Sequence, residues 1–420
     1  MTNPVSQPTS HATAHPGLKF ASVSQLDAEA VKGQRALVRV DFNVPIKAGQ
    51  VDNDQRIRAA LPTLKYLLSL GTRVILMSHL GRPKGQVQDA FRLKPVGDYL
   101  AGLLGVEVLS LHDCIGSEVE EAIAASNAPV VMLENTRFYK QETDNDPEFS
   151  QQLARLGDFY VNDAFGTAHR AHASTVGVAT LLPAYAGLLM EKELSALGGL
   201  LDHPTHPFVA IIGGAKVSSK LAVLENLLPQ VEALIIGGAM AFTFLAAQGV
   251  QVGKSLTEPD LFPTALELLN KAEKMGKHII LPRDTVMATG VEATSASATV
   301  DLQDPQMDIS ELSGVDIGPL SIESIQAVLS KAKTVLWNGP MGVFENPPFA
   351  AGTEAVAQMV AQITRQGAQS VVGGGDSVAA VEKLGLGEQF THVSTGGGAS
   401  LEFLEGQELP GVAVLKAQRG

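Results

Sequence analysis

The sequence predicts an α/β protein of two parallel-sheet domains joined by a helical hinge. Three observations carry that prediction. At 420 residues the chain exceeds the size at which one hydrophobic core keeps growing, so it should divide in two. Short apolar runs alternate with helix-period stretches in both halves, the pattern of a parallel sheet covered by helices. In the second half, four segments turn on paired or triple glycines and continue with helical spacing: FVAIIGGAKVSSKL (208–221), ALIIGGAMAF (233–242), SVVGGGDSVAA (370–380) and HVSTGGGASLEFL (392–404). Glycines at a strand-to-helix junction allow positive φ and close backbone approach, so free N–H groups face whatever docks there. Four such turns in one half predict a phosphate-binding crevice.

Composition narrows the classes of function. An apolar content of 45% with 18% charged residues is ordinary for a soluble globular protein. The net charge of −13 argues against nucleic acid as partner, because phosphate-backbone binding needs a basic face. A single cysteine, Cys114, excludes an internal disulfide framework and is compatible with a reducing, cytoplasmic setting. Residues 1–18 are polar, without the apolar run of a signal peptide or the arginines of a transit sequence, and read as a disordered extension. No window reaches the about 18 consecutive apolar residues of a membrane span. The leucine-rich stretch 181–201 is broken by Pro183, Glu191, Lys192 and Glu193.

In the first half, strands are expected at 36–40, 74–77, 130–133 and 159–161. Ligands of such sheets collect at the carboxyl ends of the strands, and the residues there are polar: Asp41-Phe42-Asn43, Ser78-His79-Leu80-Gly81-Arg82, Glu134-Asn135-Thr136-Arg137 and Asn162-Asp163. Ten of the thirteen arginines precede residue 200. Arg39, Arg56, Arg82, Arg137 and Arg170 fall in or beside strand-end loops, where a guanidinium fork suits phosphate and carboxylate oxygens. His79, His169 and His172 are open to either structural hydrogen bonding or a ligand role. No Cys or carboxylate cluster accompanies them, so they suit a metal site poorly.

The helical pattern 187–201 and the loop DHPTHP form the expected connector, with that helix as one hinge. Beyond it, strands are expected near 208–212, 233–236, 278–281, 333–337, 369–372 and 391–394. Helices are expected around 216–228, 239–248, 261–275, 321–330, 352–365 and 377–384, with a loop-rich or β excursion at 284–314. Lys216 and Lys220, four apart, are expected on one helix face. Positive charge at a helix N-terminus is unfavourable by itself, so a lysine there calls for a compensating anion.

Seven motifs in order, RVDFNVP (39–45), MSHLGRP (77–83), LENTRFY (133–139), GTAHRAH (166–172), GGAKVSSKL (213–221), WNGPMGVFE (337–345) and GGGDS (373–377), resemble those of phosphoglycerate kinases. The resemblance runs from about residue 19 to the end. It implies two doubly wound, Rossmann-like domains of similar size: 19–186 for 3-phosphoglycerate and 206–405 for Mg-ADP or Mg-ATP, with 187–205 as connector and 406–420 returning to the first domain. By position, Asp41, Asn43, Arg56, His79, Arg82, Arg137 and Arg170 resemble the substrate-binding set, and Arg39 the arginine that meets the transferring phosphoryl group. Lys216 and Lys220 resemble the lysines of the nucleotide phosphates and the moving group. Gly397, within Gly396–Gly398, matches the turn that cradles that group. Nucleotide contacts are implied at Gly213, Lys220, Gly238, Asn338, Glu345, Gly374, Gly375, Asp376 and Ser377, with Asp376 on the Mg²⁺ side. The chain departs from the pattern at Ser219, Thr136 and Arg283.

The implied reaction moves the acyl phosphate of 1,3-bisphosphoglycerate to ADP, reversibly, giving 3-phosphoglycerate and ATP. Run backwards, its nucleophile is a carboxylate with a pKa of about 3.5, so no general base is needed. No His–carboxylate pair stands at catalytic spacing here. The family further implies a monomer that closes its domains around both substrates, expelling water. Two other classes can be weighed. A dinucleotide oxidoreductase would show G-x-G-x-x-G followed by an acidic residue, and no glycine turn here does. A non-catalytic scaffold would have no use for Arg39, Lys216, Lys220 and Asp376 together.

Overall fold

Strands buried on both faces read as continuous apolar runs, and two six-stranded sheets are built from such runs. The computed structural model describes residues 20–304 and 306–416. The extension expected at 1–18 lies outside the described residues, as does the end of the C-terminal segment.

The first half contains β1 (Arg35–Arg39), a small hairpin of β2 (Ile46–Lys47) and β3 (Gln50–Val51), then β4 (Arg73–Met77), β5 (Val108–Ser110), β6 (Val130–Met132), β7 (Phe159–Asn162) and β8 (Ala184–Ala186). Its six-stranded sheet has the order β5-β6-β4-β1-β7-β8, all pairs parallel. The expected strands are present. The sequence reading missed β5 and β8, edge strands of three residues each, too short to show a strand pattern of their own.

The second half repeats this plan with β9 (Phe208–Ile212), β10 (Ala233–Ile236), β11 (His278–Ile280), β15 (Thr334–Asn338), β16 (Gln369–Gly373) and β17 (His392–Val393). Their order is β11-β10-β9-β15-β16-β17, again parallel. The excursion at 284–314 is β: β12 (Asp284–Ala288), β13 (Ala298–Asp301) and β14 (Ser313–Ile317) form an antiparallel sheet, with an irregularity between Val286 and Met287.

Strand order reverses between β1 and β7 in the first sheet and between β9 and β15 in the second. Open α/β sheets leave a crevice at the carboxyl end of such a reversal. Each half therefore has one favoured ligand crevice.

The helix Leu188–Asp202 connects the halves, with Met190, Leu194, Leu197 and Leu200 buried at helical spacing in a core that includes Tyr160 and Phe165 on one side and Phe208 and Leu404 on the other. Its first turn is held by the first half, where Asp163 Oδ1 accepts from Leu189 N at 3.0 Å. The C-terminal segment crosses back: Gly411 N donates to Ala168 O at 2.8 Å, and Ala21 N donates to Leu415 O at 3.2 Å.

Candidate active site

At the β1/β7 crevice the chain gathers cations around two half-buried polar residues. Arg56 Nη1 lies 3.1 Å from Asp41 Oδ2 and also donates to Asn43 O at 3.1 Å. Asn43 Oδ1 in turn accepts from Gly81 N at 2.9 Å, fixing the loop that carries His79 and Arg82. Arg137 Nη1 donates to Gly81 O at 3.0 Å, while its buried Nε has no partner. Burial, and then the nearby charges of Arg39 and Arg170, pull the Arg137 guanidinium down to about 10. Arg82 and Arg170 are exposed. A crowd of cations with few counter-ions suits a multiply charged anion.

Arg39 is placed differently from expectation. It is 0% exposed, and its fork is already committed: Nε to Ser174 Oγ at 2.7 Å, Nη1 to Val40 O at 2.5 Å and Nη2 to His79 Nδ1 at 3.1 Å. A strand's last residue alternates to one face of the sheet, and here that face is the packed interior. The Arg56 guanidinium, beside Asp41, belongs to a side chain that is 41% exposed.

At the β9/β15 crevice the glycine turns interlock. A Cβ on Gly213 would lie 2.0 Å from Pro340 O, one on Gly339 2.1 Å from Gly213 O, and one on Gly238 2.6 Å from Gly214 O. Larger residues would push these turns apart. Lys220 Nζ donates to Asn338 Oδ1 at 2.5 Å, and Asn338 Nδ2 is buried without a partner. Burial pulls the Lys220 ammonium below its ordinary range, against the opposing charge of Asp376. A partly desolvated ammonium gains from an arriving anion.

Gly374 (φ +88°) precedes the helix Gly375–Lys383, whose first turn exposes Asp376. Glu345 is also exposed. The Ser377 hydroxyl is already engaged: buried, it donates to Gly373 O at 2.7 Å and accepts from Gly339 N at 2.8 Å, which leaves the residue's backbone in the first turn for any ligand contact. The two lysines do not share a helix face either. Lys216 is extended (φ −133°, ψ 133°) and exposed, a single 3₁₀ turn follows it, and Lys220 precedes the helix Leu221–Leu227. Ser219 Oγ bonds Lys216 O at 2.8 Å, so the intervening residues form a capped turn instead. Among the described residues no group of three His, Cys, Asp or Glu could hold a metal. A lone exposed carboxylate does fit Mg²⁺, which is commonly bound by one or two carboxylates plus phosphate oxygens and water.

The two crevices face each other across a glycine-lined approach. A Cβ on Gly166 would lie 3.0 Å from Asp41 Oδ2 and 3.4 Å from Thr395 O; one on Gly398 would lie 3.7 Å from His169 Nε2. Gly397 (φ +51°) has open space where a side chain would be, leaving its backbone accessible.

A family model described as phosphoglycerate kinase matches residues 26–407. The chain belongs to the phosphoglycerate kinase family. Among its relatives, the phosphoglycerate kinase of Moorella thermoacetica is 55% identical over 400 residues, 94% of this chain and 99% of that one. That of Dictyoglomus turgidum is 53% identical over 396 residues, covering 94% and 98%. The solved phosphoglycerate kinase structure from Coxiella burnetii superposes with a TM-score of 0.84 at 40% identity, covering 94% of this chain and 98% of that one.

Two departures from the family motifs have local explanations. Buried Thr136 donates from N and Oγ1 to Ser78 O, and Arg283 pairs with Asp301 at 3.0 Å on the small sheet. Sequence reasoning named Asp163 only as a polar strand-end residue, and missed Glu142, Ser174, Glu193 and Thr395 as parts of the site's support. A signal existed for Glu193 alone: it falls on the apolar stripe of the connector helix, where a carboxylate needs partners.

Proposed function

We propose that this chain catalyses reversible phosphoryl transfer between 1,3-bisphosphoglycerate and ADP, giving 3-phosphoglycerate and ATP, as a cytoplasmic monomer of glycolysis and gluconeogenesis. Family membership supports the reaction. The observation that carries the residue assignment is the opposition of two crevices, one lined by Arg56, Arg137 and Arg170 and the other by Lys220 and interlocked glycines.

On this reading residues 19–186 hold phosphoglycerate through Asp41, Asn43, Arg56, His79, Arg82, Arg137 and Arg170. Residues 206–405 hold the nucleotide, against Gly213, Gly238, Asn338, Glu345, Gly374 and Gly375. The connector 187–205 and the returning segment 406–420 join them. In the ATP-consuming direction a carboxylate oxygen of 3-phosphoglycerate attacks the γ-phosphorus in line, and the bond to the ADP oxygen breaks. The carboxylate is already ionised, so the protein's task is placement and charge neutralisation. Arg56 from one wall, Lys220 and Lys216 from the other, and the Gly397 backbone supply that positive field to the equatorial oxygens. Asp376 would hold Mg²⁺, which when bound neutralises nucleotide phosphate charge. A coupled assay for ADP formation with 3-phosphoglycerate and Mg-ATP tests the proposal. No ADP above a control lacking 3-phosphoglycerate would refute it.

A further inference from the structure

Behind the arginine wall lies a buried carboxylate with no place in the chemistry above. Glu142 is 0% exposed, near the end of the short helix Lys140–Thr143. Its Oε2 accepts from Ser174 N at 2.9 Å and its Oε1 from Ser174 Oγ at 2.5 Å. A hydroxyl has one proton, so a Ser174 Oγ that donates to Glu142 must accept from Arg39 Nε, and it does so at 2.7 Å. The other end of the Arg39 fork reaches His79 Nδ1 at 3.1 Å. A guanidinium only donates, so Nδ1 must accept and the ring proton must sit on Nε2. The hydrogen-bond directions are thus set along the whole row: His79, Arg39, Ser174, Glu142.

We infer that Glu142 and Ser174 are positioning residues that act through Arg39, holding the His79 ring in its Nε2–H tautomer as an oriented donor in the arginine-lined crevice. Two further observations agree. Burial, and then the charge of Arg39, keep His79 well below its ordinary range, so the ring is neutral and has a single proton to place. Ser174 is itself immobilised, with Tyr160 Oη donating to its carbonyl at 2.9 Å, so the hydroxyl cannot move off without breaking the packing. Metal-bound histidines use the same device, in which a partner on one ring nitrogen fixes the direction of the other. What the oriented donor faces rests on the phosphoglycerate reading, while the tautomer does not.

The test uses the full-length protein, ¹⁵N-labelled on histidine, with the His79 signals assigned by their loss in His79→Asn. Long-range ¹H–¹⁵N correlation should show one His79 tautomer, protonated on Nε2, in the unliganded wild type. Ser174→Ala and Glu142→Gln should each mix the tautomers. Each should also raise KM for 3-phosphoglycerate about tenfold, the scale of one hydrogen-bonded link, with KM for ATP unchanged. A wild-type ring protonated on Nδ1, or doubly protonated at neutral pH, overturns the inference whether or not the chain turns over phosphoglycerate. So do variants that raise KM with the tautomer intact, and variants that mix the tautomers and leave KM unmoved overturn the positioning role. Should Ser174→Ala fail to fold, the isosteric Glu142→Gln and the wild-type spectrum decide.

Discussion

Glu193 and His392, 199 residues apart in sequence, meet in the interior with 2.8 Å between Oε2 and Nε2. The same carboxylate accepts from Ser394 Oγ at 2.8 Å and from Thr395 N at 2.6 Å, so one residue of the connector helix holds the loop that leads into the Gly396–Gly398 turn. Burial opposes ionisation of Glu193, but the hydrogen bonds from His392 and Thr395 outweigh it and hold the carboxyl below its ordinary range. The first turn of the same helix, just before Glu193, is anchored in the first half through Asp163. Glu193→Gln should therefore loosen the mechanical link between the halves. We expect a stability loss of about 1–3 kcal/mol, the scale of a buried hydrogen-bond defect. Urea unfolding followed by two probes, one in each half, should lose coincidence; coincident transitions at wild-type midpoint would refute the link.

Arg56→Ala and Arg39→Ala should fail in different ways. Loss of a cation that meets developing charge lowers kcat, here by about 10²-fold or more for Arg56→Ala, with a raised KM for 3-phosphoglycerate, which Arg56 also holds, and little change in Tm or in KM for ATP. Arg39→Ala instead strips partners from Ser174, Val40 O and His79, at about 1–3 kcal/mol for each group left unsatisfied, so a lowered Tm and a raised KM for 3-phosphoglycerate are expected. Steady-state kinetics with thermal melts separates the two. A large kcat effect for Arg39→Ala without loss of stability would reverse the assignment.

Asp163 makes stability fall as pH rises. Burial pushes its carboxyl up to about 7, outweighing the backbone N–H groups of Leu189 and Met190 that donate to Oδ1. The unfolded chain releases this proton near pH ~4 while the native state keeps it to about 7, so between those values unfolding sheds a proton. The stabilisation is complete below the unfolded value and is lost as pH rises through the folded one. At about 1.4 kcal/mol per unit, the advantage of wild type over Asp163→Asn should shrink by up to ~4 kcal/mol from pH 4 to 7, then level off. Chemical denaturation across that range reads the difference directly. Parallel curves for the two proteins would contradict it.

Asp376→Asn should weaken Mg-nucleotide binding by about 10–100-fold, the cost of one charge-assisted contact, and leave 3-phosphoglycerate binding intact. The residue stands exposed on the second half only, so a fold-wide effect is not expected. Calorimetry with each ligand alone measures both affinities. Equal losses at the two sites would indicate a folding defect instead.

The sequence by itself determined the two-sheet α/β plan, the central strands and the loops that carry the site. Buried parallel strands must be continuous apolar runs, and glycine turns and strand-end arginines stand beside them in the chain. Edge strands such as β5 and β8 escaped because three residues carry little pattern. Only the tertiary structure decided which side chains of those loops are free. Arg39 and Arg56 look equivalent as letters, yet one is enclosed by Ser174 and His79 and the other is open beside Asp41, because packing fixes the face each presents. The Ser377 hydroxyl was taken up by Gly373 and Gly339, and Lys216 was set off the helix by the turn after it. The pairs that support the site, Glu142 with Ser174 and Glu193 with His392, join residues far apart in the chain, and no local spacing encodes a contact that exists only once two separate segments have packed.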